Sequence, residues 1–430
     1  MKSKRLTLLI VAGLVVGVAL GSAVHAMASP ETATGFADGM GLLPFAFLRL
    51  IKMVIAPLVF TTLVVGVAKM GDIATVGRIG GKALGWFLFA SLISLVLGLV
   101  LVQLFEPGKA MSLPLPEANA TSGIAAGAMT MRAFIEHTLP TSAFDAMARN
   151  EILQIVIFAL FFGTAMAALG ERSRIVLDAL DVVSHIMLKV TGYVMLFAPL
   201  AVLGALASTV AKEGLGIIGV YGLFVGEFYL GLILLWGILI TFGVLLVGSS
   251  IFRLVRRIRA PVLLAFSTAS SEAAYPRTLE ELERFGCSNR VASFVLPVGY
   301  SFNLDGSMMY CTFAVMFIAQ VYGVELSLGQ QAMMVAVLML TSKGIAGVPR
   351  ASLVVVAAAL TQFNLPEAGM LLLLGIDHFL DMGRSATNVV GNSIATAIVS
   401  KWEGELASEA PQGAMPAAGA AATTAAKAGA

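Results

Sequence analysis

The sequence predicts an all-α polytopic membrane protein whose second half carries two re-entrant helical hairpins, and three observations predict it. Of 430 residues, 58% are hydrophobic and only 12% charged, and mean hydropathy is +0.93, whereas ordinary globular chains are about a quarter charged. Apolar stretches long enough to cross a bilayer recur at about 6–26, 42–69, 80–105, 152–170, 186–210, 216–250, 291–318, 331–341 with 351–361, and 369–400. Such spans must be helical, because lipid offers no partner to backbone polar groups and no alternating barrel pattern occurs. Finally, two segments late in the chain are interrupted by small and polar residues that end in proline.

The first span, "MKSKRLTLLIVAGLVVGVALGSAVHA", has the basic head, apolar stretch and A-x-A-like end of a secretory signal. Its apolar part is longer than a usual signal core and further spans follow, so a retained first helix is expected. Either reading implies insertion into a bacterial-type inner membrane. The net charge of +2 carries little information, but its placement does. Lys2, Lys4 and Arg5, then Lys69, Arg78 and Lys82, then Arg172 and Arg174, then "RLVRRIR" at 253–259 mark cytoplasmic ends. The N- and C-termini are both expected inside. Residues 106–150 form a polar interruption that the alternation of spans places outside.

Cys287 and Cys311 are the only cysteines and the four histidines lie far apart. No disulfide framework and no thiolate or histidine metal site is expected. The tail from 403 to 430 is Ala/Gly/Pro-rich and is expected to be disordered.

The interrupted segments are "LLAFSTASSEAAYP" at 263–276 and "MLTSKGIAGVPRAS" at 339–352. Proline removes a donor, and runs of Gly or Ser loosen a helix, so each reads as a hairpin with its tip at membrane depth. Irregular backbone survives there only where protein buries it or a cavity is lined by it. Each hairpin precedes a helix with a polar interior, 291–318 and 369–400. A hairpin-plus-helix unit occurring twice has the form of an inverted repeat, around which transporters place midplane binding sites.

In the last helix, Asp377, Asp381, Arg384, Asn388 and Asn392 point within roughly 60° of one another, with Ser385 at the edge of the stripe. Charges at that depth cost several kcal/mol and are functional candidates by default. The guanidinium of Arg384 can grip a carboxylate with two bonds, and Asp381, one turn earlier, can accept from an ammonium group. In "GYSFNLDGS", 299–307, Asn303, Asp305 and carbonyls loosened near Gly306 supply oxygen ligands suited to a hard cation. Arg49, Lys52, Asp178, Asp181, His185 and Lys189 lie near span ends, where snorkelling or pairing accounts for them. Glu227 lies deeper in its span without an assigned role.

"STASSEAAYP", "GYSFNLDGS", "TSKGIAGVP" and "GIDHFLDMGRSATNVVGN", in that order, resemble the dicarboxylate/amino-acid:cation symporters, the glutamate transporter family, and the resemblance extends over nearly the whole chain. It implies eight transmembrane helices, two re-entrant hairpins, a homotrimer and an elevator-like movement of a transport domain. Residues 1–250 would then supply helices 1–6, as scaffold and part of the transport domain, and 251–402 the transport core. Carried over by position, Arg384 binds the substrate side-chain carboxylate and Asp381 its amino group. Ser385, Asn388, Ser307, Ser271 and the backbone at Val348 and Ser352 make further substrate contacts. The second hairpin is expected to close over the substrate from outside.

Members for simple dicarboxylates usually lack an acid where Asp381 stands, so glutamate or aspartate is the expected substrate. A C4-dicarboxylate such as succinate, malate or fumarate is the alternative. Gly299, Asn303, Asp305, Asp377 and Asn388 match positions that form or support cation sites. Three departures weigh against sodium: Asn392 stands where sodium-coupled members have a liganding aspartate, Ala90 where they have a threonine, and Ala269 where one archaeal branch has an arginine. Proton coupling is therefore preferred over sodium, with Glu272 at the first hairpin tip as candidate proton carrier. No cofactor beyond the coupled H+ or Na+ is expected, and no nucleic-acid partner. An intramembrane serine hydrolase using Ser267, Ser270 or Ser271 lacks a placed base, and a channel needs a continuous polar pore rather than one closed site.

Overall fold

A computed structural model describes residues 3–70, 73–110, 135–136, 138–214, 216–342, 351–374 and 376–407. The longer helices are α1 (Ser3–Met27), α2 (Pro30–Met70), α3 (Ile73–Phe105), α4 (Ile152–Leu169), α5 (Arg174–Val194), α6 (Ala198–Glu213) and α7 (Gly216–Val247). They continue with α8 (Ile251–Thr268), α9 (Ser271–Phe285), α10 (Asn289–Phe302), α11 (Asp305–Val321), α12 (Leu328–Thr341), α13 (Ala351–Gln362) and α14 (Asp377–Trp402). Among the described residues there is no strand beyond an isolated bridge between Cys287 and Leu406. Among the described residues six helical stretches are long and apolar enough to cross a membrane, and two shorter apolar helices lie at 328–341 and 352–362.

The 41 residues of α2 form one helix through Pro44 and Pro57, longer than the apolar run of 42–69. At 1.5 Å per residue it measures about 60 Å, so it must tilt or project beyond a hydrocarbon core about 30 Å thick. Helices α1 and α6 approach closely because Gly13, Gly17 and Gly21 make a stripe on α1. A Cβ on any of them would meet the α6 backbone at Pro199, Leu203 or Ala207.

The first expected hairpin is the pair α8–α9. Its break lies at Ala269–Ser270, just before the Glu272 expected at the tip. Ala269 adopts the left-handed conformation (φ 47°, ψ 38°), and Ser270 turns extended, its Oγ accepting from the backbone N–H of Ala273 at 3.3 Å. Pro276 sits in the second turn of α9, where its missing N–H removes one bond to the Glu272 carbonyl and leaves the rest of the helix intact. Helices α12 and α13 occupy the place of the second hairpin. Its interruption at 343–350 lies outside the described residues, and Val348 with it.

The span 291–318 is broken into α10 and α11 at Asn303 and Leu304, whose non-helical dihedrals (φ −125°, ψ 61° and φ −95°, ψ 65°) stop one helix and start the next. Thr312 Oγ1 donates to the Leu95 carbonyl at 2.9 Å and Gln320 Nε2 to that of Val102 at 2.8 Å, which seats α11 along α3. Helix α14 is the central element. From Met382 to Ser400 it is buried on every face, as expected of a helix surrounded by others. It restarts at Asp377 rather than running unbroken from 369, so this aspartate stands in the first turn, where amide N–H groups favour an anion.

The expected tail begins at 403, yet residues 403–407 are tied down. Glu403 pairs with Arg78 at 3.0 Å and Lys82 at 2.6 Å. Glu405 pairs with Arg290, its carbonyl accepts from the N–H of Ser288, and the N–H of Ala407 donates to the Gly286 carbonyl. Residues 408–430 lie outside the described residues.

Candidate functional site

Two polar clusters meet where α14 crosses the α10–α11 break. The first centres on Arg384, whose side chain is 0% exposed. Its Nη2 donates to Asp377 Oδ1 at 2.9 Å and lies 3.0 Å from Asp381 Oδ1. The spacing of seven and three residues brings both acids onto its face of the helix. The guanidinium also lies over the ring of Tyr310, 4.1 Å from the centroid, a distance at which the negative ring face attracts a cation. Nη2 thus holds both aspartates, while Nε and Nη1 have no hydrogen-bond partner among the described residues. A buried N–H without a partner costs on the order of 1–3 kcal/mol, more on a charged group. This side chain is therefore built to receive a further acceptor. Asp381, 27% exposed, is the open side of the cluster.

Asn388 links the two clusters. Its Oδ1 accepts from the backbone N–H groups of Gly306 at 2.9 Å and Ser307 at 3.4 Å, and its Nδ2 donates to Ser307 Oγ at 3.2 Å. Those N–H groups are free to point at it because they open α11. Ser385 is buried beside Arg384. Ser352, at the start of α13, reaches the same region through its carbonyl, which faces Cys311 Sγ at 3.9 Å on α11.

In the second cluster, Asn303 Nδ2 donates to Asp305 Oδ2 at 3.0 Å and to Asn392 Oδ1 at 3.3 Å. Ser94 Oγ, on α3, faces Asp305 Oδ1 at 3.4 Å. Gly299 and Gly391 permit this approach: a Cβ on the first would collide with Asn392 Oδ1, and on the second with Asp305 Oδ2. Asn303 Oδ1 and Asn392 Nδ2 have no hydrogen-bond partner among the described residues. The first is an acceptor beside a carboxylate and fits a cation; the second is a donor and does not.

The sequence-derived stripe is thereby divided. Asp377 and Asp381 sit on Arg384, Asn388 on the α11 N-terminus, and Asn392 with Asn303 and Asp305. Ser271 and Glu272 open α9, both half-buried. Glu272 lines a small apolar cavity with Ile55, Val59, Ile152, Tyr275, Pro297 and Tyr300, which none of the described substrate-binding candidates lines.

Four contributing side chains escaped the sequence reading. Tyr310 stands one turn after Ser307, a tyrosine in an apolar run, and that signal was there to use. Ser94, Trp236 (Nε1 to Thr387 Oγ1, 2.8 Å) and Tyr229 (OH to the Phe379 carbonyl, 2.6 Å) lie on α3 and α7, and only the tertiary fold brings the first to Asp305 and the other two to α14.

A family model described as the sodium:dicarboxylate symporter family matches residues 6–402. A C4-dicarboxylate transport protein of Laribacter hongkongensis is 39% identical over 412 residues, 94% of this chain and 91% of that protein. Proteins described in the same words from Bacillus subtilis and Cupriavidus necator are 38% identical over 406 residues and 42% over 368, covering 94% and 84% of this chain and the same shares of those proteins.

Proposed function

Because the chain belongs to the sodium:dicarboxylate symporter family, a family of multi-pass membrane transporters and not of enzymes, we propose that it takes up C4-dicarboxylates together with a cation. The carrying observation is the buried guanidinium of Arg384, whose Nε and Nη1 have no hydrogen-bond partner among the described residues. A carboxylate of the substrate can accept from Nη1, while the Nε N–H, which points to the Nη2 side of the fork, is left for a second acceptor; the Ser307, Ser352, Ser385 and Asn388 groups suit the other carboxylate. The names of the relatives support a four-carbon dicarboxylate over the acidic amino acids expected from Asp381.

Asp381 still favours a second reading. It is the exposed acid at the mouth of the cluster, placed to accept from an ammonium group, and aspartate is itself a four-carbon dicarboxylate that carries one. The coupling cation is proposed to be a proton before sodium, since the amide of Asn392 stands beside Asp305 and Glu272 supplies a titratable carboxyl. A homotrimer in a bacterial inner membrane with cytoplasmic termini belongs to the same proposal. The gathering of Arg78, Lys82, Arg257 and Arg290 near residues 403–407 and the end of α9 supports that orientation.

The deciding experiment is uptake of labelled succinate, aspartate and glutamate into proteoliposomes under separately imposed proton and sodium gradients. Saturable accumulation of succinate supports the first reading, and accumulation of aspartate alone replaces it with the second. Glu272→Gln should abolish proton-driven uptake while sparing exchange of internal for external substrate. Unchanged proton-driven uptake removes Glu272 from the mechanism.

A further inference from the structure

The basic run of α8 has no part in the site just described. Its buried face is Ile251, Leu254, Ile258, Pro261 and Leu264. On the opposite face Phe252, Arg256 and Arg259 point within roughly 60° of one another, all exposed, Phe252 to 59%. Arg253 flanks them. Helix α8 contains no acidic residue. Its partly buried Arg257 faces Glu281 at 3.8 Å, whereas Arg256 and Arg259 have no ion-pair partner among the described residues. The same face continues toward Ala269 as Leu263 and Phe266, half-buried and apolar.

This profile has a definite place relative to the bilayer. The apolar span of α7 ends at Val247, and Ile251 packs against Gly243, so α8 begins beside the end of that span. A helix entering there carries guanidinium groups at its first two turns and apolar side chains beyond, about 10 Å deeper. That order matches phosphate headgroups followed by acyl chains. Two exposed arginines one and two turns beyond an exposed aromatic ring are what an interfacial helix uses to hold an anionic lipid surface.

We propose that the Phe252–Arg256–Arg259 face of α8 binds the headgroups of anionic phospholipids. Because α8 ends at the strained Ala269 turn that precedes Ser271, lipid held at its foot would steady the first hairpin next to the substrate site.

The test uses the full chain in bilayers of phosphatidylcholine, with spin-labelled phosphatidylglycerol or spin-labelled phosphatidylcholine as probe, and no transported substrate. The motionally restricted fraction of each label gives the headgroup preference. The unaltered chain should prefer phosphatidylglycerol. R256Q/R259Q should lower that preference by about fivefold for each guanidinium removed, the effect of about one basic side chain at an anionic surface, and R256K/R259K should retain most of it. Equal preference in the unaltered chain, or unchanged preference in R256Q/R259Q, overturns the proposal. Displacement of the lipid label by inorganic phosphate alone also overturns it, since that marks a small-anion site. If R256Q/R259Q fails to fold, R259Q alone carries the same comparison. None of these readouts depends on which carboxylate the protein carries.

Discussion

Replacing Asn392 by aspartate restores the carboxylate of sodium-coupled relatives and tests the cation region directly. Asn303 Nδ2 holds Asp305 Oδ2 at 3.0 Å and Asn392 Oδ1 at 3.3 Å, so the new carboxylate would stand within about 6 Å of Asp305. At an effective dielectric of 20, two like charges at that distance repel by about 3 kcal/mol. The amide of Asn303 would donate to both, but its protons are already engaged with the same oxygens, so little of the repulsion is offset. Asn392→Asp should therefore lose on the order of 2–3 kcal/mol of stability in a sodium-free medium. A sodium ion coordinated by both acids and Asn303 Oδ1 removes the repulsion, and at about a hundred times its Kd it returns about 2.7 kcal/mol. Thermal unfolding in detergent, with sodium or choline as the sole cation, measures the difference. Succinate uptake driven by an imposed sodium gradient should also rise relative to the unaltered chain. Equal melting temperatures of the variant in sodium and choline would refute the assignment of this cluster to a cation.

Three further substitutions probe the other contacts. Arg384→Lys keeps the charge but loses the planar fork; each charge-assisted hydrogen bond lost to substrate is about 2 kcal/mol, so substrate affinity should fall roughly 10- to 1,000-fold, as read by binding calorimetry. Ala269→Gly relieves a left-handed alanine, a strain of roughly 1–2 kcal/mol partly offset by glycine's freedom in the unfolded chain; melting should rise by about 1 °C, and a large fall would show that the Ala269 methyl packs. Glu403→Gln removes the clamp on Arg78 and Lys82. Burial pushes the Glu403 carboxyl up, but the hydrogen bonds from Arg78 and Lys82 outweigh it and hold the group below the usual carboxylate range. A depressed folded value means stability that is present above the unfolded value and lost as pH falls through the folded one. The variant should be less stable at neutral pH by about 1 kcal/mol, read as a lower melting temperature, with the gap closing in acid.

The fold class was legible because hydropathy records burial in lipid directly, and the α14 stripe because a helix of known period turns spacing into direction. The hairpin break was placed only to within several residues. The tip was set near Glu272, and the turn fell just before it, where Ala269 is left-handed and Ser270 could cap the next helix; Pro276, near the helix N-terminus, costs only one bond. The stripe was read as one row, yet its members part in the fold: Asp377 and Asp381 meet Arg384, Asn388 meets the start of α11, and Asn392 meets Asn303. Spacing within α14 allows Asp377 and Asp381 to reach Arg384, but it could not tell that Asn392 turns to Asn303. Tyr229 and Trp236 were illegible for the same reason, since their role depends on α7 crossing α14. The choice of substrate was weighted toward Asp381, a single residue, and relatives at about 40% identity carry names that point to the alternative.

Charge balance makes substrate and coupling a single question. Around Arg384 stand Asp377 and Asp381, so the cluster carries one surplus negative charge when both acids are ionised. A dicarboxylate such as succinate adds two more. Like charges about 6 Å apart in the interior repel by about 3 kcal/mol per pair, and one guanidinium cannot offset three carboxylates beyond the first. The occupied site is therefore stable only with cations or protons bound alongside, and coupling follows from this cost without any covalent step. Aspartate carries the same two carboxylates but brings its own ammonium group, which Asp381 can hold. If both are carried, succinate should enter with one more positive charge than aspartate does. Proteoliposomes clamped at a series of membrane potentials measure this, because the reversal potential at fixed substrate and cation gradients gives the cations moved per substrate. Equal numbers for the two substrates would mean that Asp381 is neutral in the working site, and the ammonium-binding role assigned to it would have to be withdrawn.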